Sequence, residues 1–165
     1  MNFIVAADKN YAIGNNGKLL YHIPADLEYF KHMTLNKVVV MGSKTFLSLP
    51  KHPLPNRTNI VLSKHTSHFE GAITVHDLDE LAVALKDFND SEVFVIGGGA
   101  IYKQLISYCE YGYVTKIYAN TNADTFIENM DISDNWILEN SSPIFTENNL
   151  DFQFLTYKNL NVKRL

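Results

Sequence analysis

Val93-Phe94-Val95-Ile96 runs without a spacer into Gly97-Gly98-Gly99, and the stretch behind it reads as a helix from about Ala100 to Tyr108. A short apolar run of this kind is a strand buried on both faces, and such strands belong to sheets covered by helices. The rest of the chain repeats the alternation of β-rich runs and amphipathic stretches. Phe3-Ile4-Val5-Ala6-Ala7 reads as a central strand, Lys37 to Met41 as a second ended by Gly42, Asn59 to Leu62 as a third and Ile73 to Val75 as a fourth. Pro24 opens a helix at the position where proline is tolerated, with Leu27, Phe30 and Met33 on one face. A short helix fits Ser43 to Leu49, and Pro50, Pro53 and Pro55 make the next segment irregular.

Asp77-Leu78-Asp79-Glu80 has the spacing of a capping box, and Leu78, Leu81, Ala82 and Leu85 give the helix behind it a buried face. In the last third, Tyr113 to Asn120 and Phe152 to Tyr157 alternate like strands with no helix readable between them, which argues an antiparallel ending. The expectation is one α/β domain over residues 1–165. It has a mixed, mostly parallel sheet of about eight strands, an antiparallel C-terminal edge and about four flanking helices. The long polar stretch from Asp8 to His22 is a loop of a length that is usually functional.

Composition excludes several classes. With 165 residues, 46% apolar and 19% charged, the chain is globular and can bury a core. No apolar run approaches the roughly 20 residues needed to cross a bilayer, and the N-terminus lacks a basic leader, so no membrane span or signal peptide is expected. Cys109 is the one cysteine, which suits a reducing cytoplasm, and the Asn-x-Ser/Thr matches at Asn56, Asn89 and Asn140 are read as chance. A net charge of −4 with no dense basic stripe argues against nucleic acid. The six histidines lack metal-ligand spacing, His65 and His68 in an apparent loop aside, so no metal is expected. No dimer seam is readable and a monomer is the default.

Four features could carry chemistry. Gly97-Gly98-Gly99 lets a backbone approach a phosphate, and a helix start favours the anion. The third small residue of the dinucleotide fingerprint is missing, because Tyr102 stands there, and an ordinary tight turn explains the glycines equally well. Gly42-Ser43-Lys44-Thr45 repeats the theme at another strand end, so that two turns could hold one diphosphate between them. Asp26 lies in a first helical turn, where an isolated acid usually serves the helix dipole. Its apolar neighbours Ile23, Leu27 and Phe30 instead suit a carboxylate that meets an amidine-like group or manages a proton. Arg57, framed by Pro55, suits a carboxylate clamp, although surface arginines are usually solvated.

In order, these segments resemble the dihydrofolate reductase family along nearly the whole chain. The resemblance rests on Ala6-Ala7 with Ile13-Gly14, Ile23-Pro24-Ala25-Asp26-Leu27 with Phe30-Lys31, and Val40-Met41-Gly42 with Lys44-Thr45-Phe46. It continues through Pro53-Leu54-Pro55-Asn56-Arg57 with Asn59 to Ser63, Val95 to Gly99 with Ile101-Tyr102, and Asp124-Thr125-Phe126. It implies a hydride transfer from NADPH to C6 of dihydrofolate, with antifolate inhibitors as further ligands. Asp26 would bond the pterin, Thr115 would support Asp26, and Tyr21 would keep an ordered water. Leu27, Phe30, Leu49 and Leu54 would wall the substrate and Arg57 would clamp its carboxylate tail. Val5, Ala6, Ile96 and Tyr102 would border the two rings. Gly98, Gly99, Thr45 and Lys44 would face the pyrophosphate, with a cis bond at Gly97-Gly98. Ser63, Lys64 and Lys44 would read the cofactor's 2′-phosphate, with His65 nearby. Ala7, Ile13, Gly14, Leu19, Gly42, Ser43, Leu62, Gly97, Ala100 and Ile101 complete the implied cofactor side.

Three departures stand out. Leu20-Tyr21 replaces the family's usual Pro-Trp, Ser43 stands where an arginine is common, and Glu128 stands near the late acidic motif where a proline is often found. The competing readings are a riboflavin-biosynthesis-type reductase, against which Asp26 with Arg57 argues because the two fit a pterin with a glutamate tail, and a catalytically silent dinucleotide-binding module, against which the intact set of Asp26, Thr115 and Phe30 argues.

Overall fold

Apolar strands that cannot leave their backbone groups unpaired assemble here into one nine-stranded sheet among the described residues. The computed structural model describes residues 1–65 and 68–165, and the apparent loop between His65 and His68 lies outside them. The strands are β1 (Asn2–Asp8), β2 (Ala12–Gly14), β3 (Val38–Gly42), β4 (Thr58–Leu62), β5 (Ile73–Val75), β6 (Val93–Gly97), β7 (Tyr111–Ile117), β8 (Thr125–Phe126), β9 (Trp136–Ser141), β10 (Phe145–Glu147) and β11 (Leu150–Asn159). The helices are α1 (Pro24–Thr34), α2 (Ser43–Ser48), α3 (Leu78–Leu85) and α4 (Gly99–Leu105). The sheet runs β10-β11-β7-β1-β6-β3-β4-β5, with β9 also on β11. From β7 to β5 every pairing is parallel, and β11 is antiparallel to β7 and to both β9 and β10. The expected parallel sheet with an antiparallel C-terminal edge is therefore present.

Several local expectations need correction. The loop after Asp8 is not structureless: its Ala12–Gly14 segment pairs with Thr125–Phe126 as a separate two-stranded sheet. Strands of three and two residues carry no periodicity, and their pairing partners are over a hundred residues apart. Besides β8, the last third holds two more strands than expected, β9 and β10. Beyond Trp136, β9 is exposed along its length, so it lacks the alternation by which a half-buried strand is recognised. The helix expected to reach Tyr108 ends at Leu105 and finishes as a 3-10 turn over Ile106–Tyr108. At α3, Asp77 caps the Glu80 N–H at 2.8 Å as expected, but the Glu80 carboxylate accepts from the His76 N–H rather than that of Asp77. Pro24 opens α1 as expected.

The two faces of the sheet are covered differently. One carries a continuous core, in which Phe3, Val5, Val40, Ile60, Val95 and Val114 meet Leu81 of α3 and Ile101, Tyr102 and Leu105 of α4. The other carries two separate clusters. Val39, Met41, Phe46 and Val61 gather under α2, whereas Ile23, Ile117 and Phe152 gather beneath the start of α1. Between them, Ile4 and Phe94 are buried but Ala6 and Ile96, toward the C-terminal ends of β1 and β6, are only half-buried, and this end of the face is left open.

Gly112 is where the continuous core is tightest. It is the ladder partner of Phe3, and a Cβ there would overlap the Phe3 ring. That ring is fully buried and wedged edge-on between Tyr102 and Trp136. Gly112→Ala is expected to destabilise the fold by about 1–3 kcal/mol through overpacking, read as a lowered urea midpoint; an unchanged midpoint would show that the Phe3 ring has room to move.

Candidate active site

β1 keeps seven ladder pairs with β7 but only two with β6, Asn2↔Phe94 and Phe3↔Val95. Beyond them the strands part. The chain leaves β1 through α1 toward β3 on one side and leaves β6 through α4 toward β7 on the other. The parting thus falls where the connections change direction, at the C-terminal strand ends, the usual place for a ligand in an open α/β sheet. Two features hold the gap. β6 slips register against β3 between Val40↔Val95 and Met41↔Gly97, so Ile96 is left out of the pairing. Gly97 then adopts φ +118°, a region open to glycine alone, and the Gly97–Gly98 peptide is cis, as the resemblance implied. Tyr102 fills the floor of the gap: it is 5% exposed, and its hydroxyl donates to the Ile4 carbonyl at 2.7 Å.

Asp26 sits at the rim of this gap. The first helical N–H groups of α1 lack a capping side chain at Ile23, and one of them, from Ala25, donates instead to the Glu147 carboxylate at 2.9 Å. One residue on, Asp26 turns toward β7, where Thr115 Oγ1 donates to its Oδ1 at 2.6 Å. Thr115 is the ladder partner of Ala6, so the pair lies on the open face beside the split. Burial raises the Asp26 pKa and the Thr115 bond lowers it; burial wins. Leu27 next to it remains 46% exposed, and Phe30 and Met33 are half-buried. The apolar face of α1 is thus only partly covered by protein, which is what a helix lining a ligand cleft requires.

Arg57 stands at the other end of α1. Its Nη1 donates to Thr34 Oγ1 at 3.1 Å and its Nε to the Pro55 carbonyl at 2.9 Å, and the two ion pairs among the described residues do not involve it. Thr34 in turn donates to the Phe30 carbonyl. Residues 26 and 34 are eight apart on the helix, so the carboxylate and the guanidinium anchor are about 12 Å apart along the axis. The strap that carries Arg57 is fixed by Asn59, 2% exposed, which exchanges two bonds with the backbone of Leu54 and donates to the Arg57 carbonyl. Leu49 and Leu54 pack with Ile96 against the α2 cluster, opposite α1. Thr34 and Asn59 were not anticipated as positioning residues. A polar side chain opening the otherwise apolar run Asn59-Ile60-Val61-Leu62 was the available signal.

The two glycine turns meet. A Cβ on Gly98 would lie 3.3 Å from Thr45 Oγ1, and one on Gly42 would lie 3.0 Å from Ile101 Cγ1. Ser43 and Thr45 are half-buried and Lys44 is exposed. Leu62 and Ser63 at the end of β4 are buried, with Lys64 and His65 exposed beyond them, and Ala100 is exposed. Val5 and Ala7 belong to the continuous core, whereas half-buried Ala6 faces the other way, into the cluster beneath α1.

The long loop crosses this region. Gly14 and Thr125 pair, the Asn16 N–H donates to Asp124 Oδ2 at 2.9 Å, and the Asp124 N–H donates to the Gly14 carbonyl. The Asn16 N–H, together with the Thr125 hydroxyl that donates to Oδ1, holds the Asp124 carboxyl below the usual range. A Cβ on Gly99 would come within 2.5 Å of Thr125 Cγ2, so the docked loop abuts the second glycine turn. Ile13 is half-buried against the core and Leu19 is exposed. At the far end, Asn148 donates to the His22 carbonyl at 3.4 Å. Bonds this exposed exchange readily with water, which leaves the loop free to open locally. Tyr21 packs into the cluster beneath α1. Among the described residues no hydrogen bond joins it to Asp26. Glu128, at the departure noted near the late acidic motif, is exposed. No group of three or more His, Cys, Asp or Glu among the described residues is placed to hold a metal, and no helix there is long and apolar enough to cross a membrane.

A family model described as dihydrofolate reductase matches residues 1–159. The Bacillus subtilis dihydrofolate reductase is 38% identical over 98% of this chain and 95% of its own length, and the type 9 dihydrofolate reductase of Escherichia coli is 34% identical over 98% and 94%. Among solved structures, the Enterococcus faecalis dihydrofolate reductase complexed with NADP(H) and RAB-propyl superposes with a TM-score of 0.84 at 32% identity, over 96% of this chain and 95% of that one. With a split sheet, a half-buried acid beside it and an arginine one helix-length away, and with matches that run nearly end to end, this chain belongs to the dihydrofolate reductase family.

Proposed function

We propose that the chain reduces dihydrofolate to tetrahydrofolate with NADPH, and that the cleft between α1 and the strap is where it does so. The observation that carries this is the pairing of Asp26 with Thr115 at one end of α1 and the anchored Arg57 at the other. Such a cleft suits a flat ring with an amidine-like edge joined by an aromatic spacer to a carboxylate, which describes dihydrofolate. It suits antifolate inhibitors with the same edge.

NADPH fits the chain's own surfaces. The glycine turns at Gly42 and Gly97 to Gly99 adjoin one another, with the Thr45 hydroxyl at Gly98, and would face its pyrophosphate. Ser63, Lys64 and Lys44 would read the 2′-phosphate in place of the arginine that Ser43 replaces. When bound, NADPH supplies the hydride that goes to C6 of the substrate. The residues around it position and desolvate the rings, which is most of the catalysis. Asp26 bonds the pterin 2-amino group and ring nitrogen, Thr115 fixes its rotamer, and N5 takes its proton from water. The docked loop from Lys9 to His22 keeps bulk solvent out. The same reading makes the enzyme a cytoplasmic monomer of one domain, a setting in which the buried thiol of Cys109 stays reduced.

Loss of reduced-nicotinamide absorbance with NADPH and dihydrofolate tests the assignment. Asp26→Asn is expected to retain NADPH binding and to lose about 10²- to 10⁴-fold in turnover; a wild type that binds NADPH but leaves dihydrofolate untouched would make a riboflavin-type reductase the better reading. Arg57→Gln is expected to raise KM for dihydrofolate roughly tenfold or more, as loss of charge-assisted bonds does, with kcat nearly unchanged. A kcat loss without a KM change would remove Arg57 from the tail site.

The raised Asp26 pKa also has a stability consequence. The folded state binds this proton more tightly than the unfolded chain, so the favourable contribution is present at low pH and is lost as pH rises through the raised pKa. Asp26→Asn is therefore expected to raise the urea midpoint of the unliganded protein at neutral pH. The advantage should shrink toward about pH 4, where the unfolded carboxylate also protonates. A pH-independent difference would trace the gain to packing instead.

A further inference from the structure

The long loop begins and ends on buried polar atoms that its backbone docking does not use. Asp8, the last residue of β1, is 1% exposed. Its Oδ1 accepts from the Asn10 N–H at 2.8 Å and the Ala12 N–H at 3.0 Å, which folds the first turn of the loop. Its Oδ2 is equally buried and has no partner among the described residues. At the other end of the loop the Tyr21 hydroxyl is in the same condition. A buried acceptor and a buried donor left unpaired each cost about 1–3 kcal/mol, so two in one place call for an explanation.

They are in one place. Asp8 is the ladder partner of Ile117, and Tyr21 packs into the cluster that Ile117 forms with Ile23 and Phe152. The Asp8 charge raises the Tyr21 pKa alongside the effect of burial, so the hydroxyl lies within its field. Lys116 also senses the Asp8 charge. Lys116 pairs with Ala7 and therefore faces the opposite side of the sheet, where its ammonium lies 3.9 Å above the Tyr11 ring and near Asp131. It leaves Asp8 Oδ2 to the Tyr21 side.

We propose that Asp8 and Tyr21 form a clasp across the two roots of the loop, the Tyr21 hydroxyl donating toward Asp8 Oδ2 through one buried water. One water satisfies both atoms, since it accepts from the phenol and donates to the carboxylate. Tyr21 immediately precedes the residues that enter α1, so the clasp fixes where Asp26 is presented as well as how the loop lies. Both are positioning residues that act through the loop, and Tyr21 keeps its water on the Asp8 side rather than on Asp26. The inference rests on the loop's proposed role as the cover of the active site.

The experiment compares wild type, Tyr21→Phe, Asp8→Asn and the double variant by amide hydrogen exchange over residues 13–20 and by kcat and KM. Each single change is expected to speed exchange in the loop and to lower kcat by up to about tenfold, the loss of one such bond, with KM little altered. It should also raise the isotope effect on kcat with deuterated NADPH, since an ill-closed loop slows the hydride step. The double variant should be no worse than either single. Effects that multiply, or a Tyr21→Phe loop that exchanges like wild type, would overturn the clasp. If Asp8→Asn does not fold, Tyr21→Phe decides alone, because phenylalanine keeps the ring packing. Exchange needs no turnover, so a wild type inactive on dihydrofolate would sink the functional reading while leaving the clasp to be judged separately.

Discussion

The early parting of β1 from β6 is the constraint on which the rest of the structure depends. Two ladder pairs join the strands where seven join β1 to β7. A sheet interrupted in its middle exposes backbone groups that must find other partners or a ligand. Tyr102 takes one of them, the Ile4 carbonyl. The register slip at Ile96 and the positive φ of Gly97 turn the remainder of β6 away from its neighbour. The divided core follows from the same cause, because an open seam gives helices nothing to pack against. α1 and α2 therefore settle on either side of it, while α3 and α4 close the other face without interruption.

Asp26 and Arg57 each sit on an element whose position the fold itself sets. Asp26 is placed by the start of α1 and turned by Thr115; Arg57 is placed by a strap that Asn59 locks and is turned by Thr34. These supports are part-buried bonds, and they fix both side chains within the fold itself. The loop is different. Its docking to Asp124 and Gly14 runs through exposed groups, which open at little cost.

How much of this was legible in the sequence depended on whether the signal was local. The buried strands, the opening of α1 at Pro24 and the glycine turns were readable because run length, proline and glycine act within a few residues. Asp26 and Arg57 stood out only as candidates from their neighbours, and their partners, Thr115 apart, were not readable without the fold. Thr34 matters to Arg57 because two segments 23 residues apart meet. The β2–β8 pairing and the exposed strand β9 were missed because short or fully exposed strands show no alternation. Tyr21 stood out in the sequence by its hydroxyl, but that the Asp8 charge bears on that hydroxyl depends on the ladder that sets Asp8 against Ile117.

The helix between Asp26 and the anchor of Arg57 also works as a gauge. From Asp26 to Thr34 it makes a little over two turns, so both ends point toward one cleft. One residue inserted or deleted within that span would shift the far end by only about 1.5 Å but swing it by roughly 100°. Thr34 would then leave Arg57 altogether. The proline-rich strap and the Asp8–His22 loop can absorb changes in length, because irregular backbone spreads them over several residues. The length of α1 cannot drift in that way, so a family built on this plan can vary its surface loops widely while its ruler stays one size.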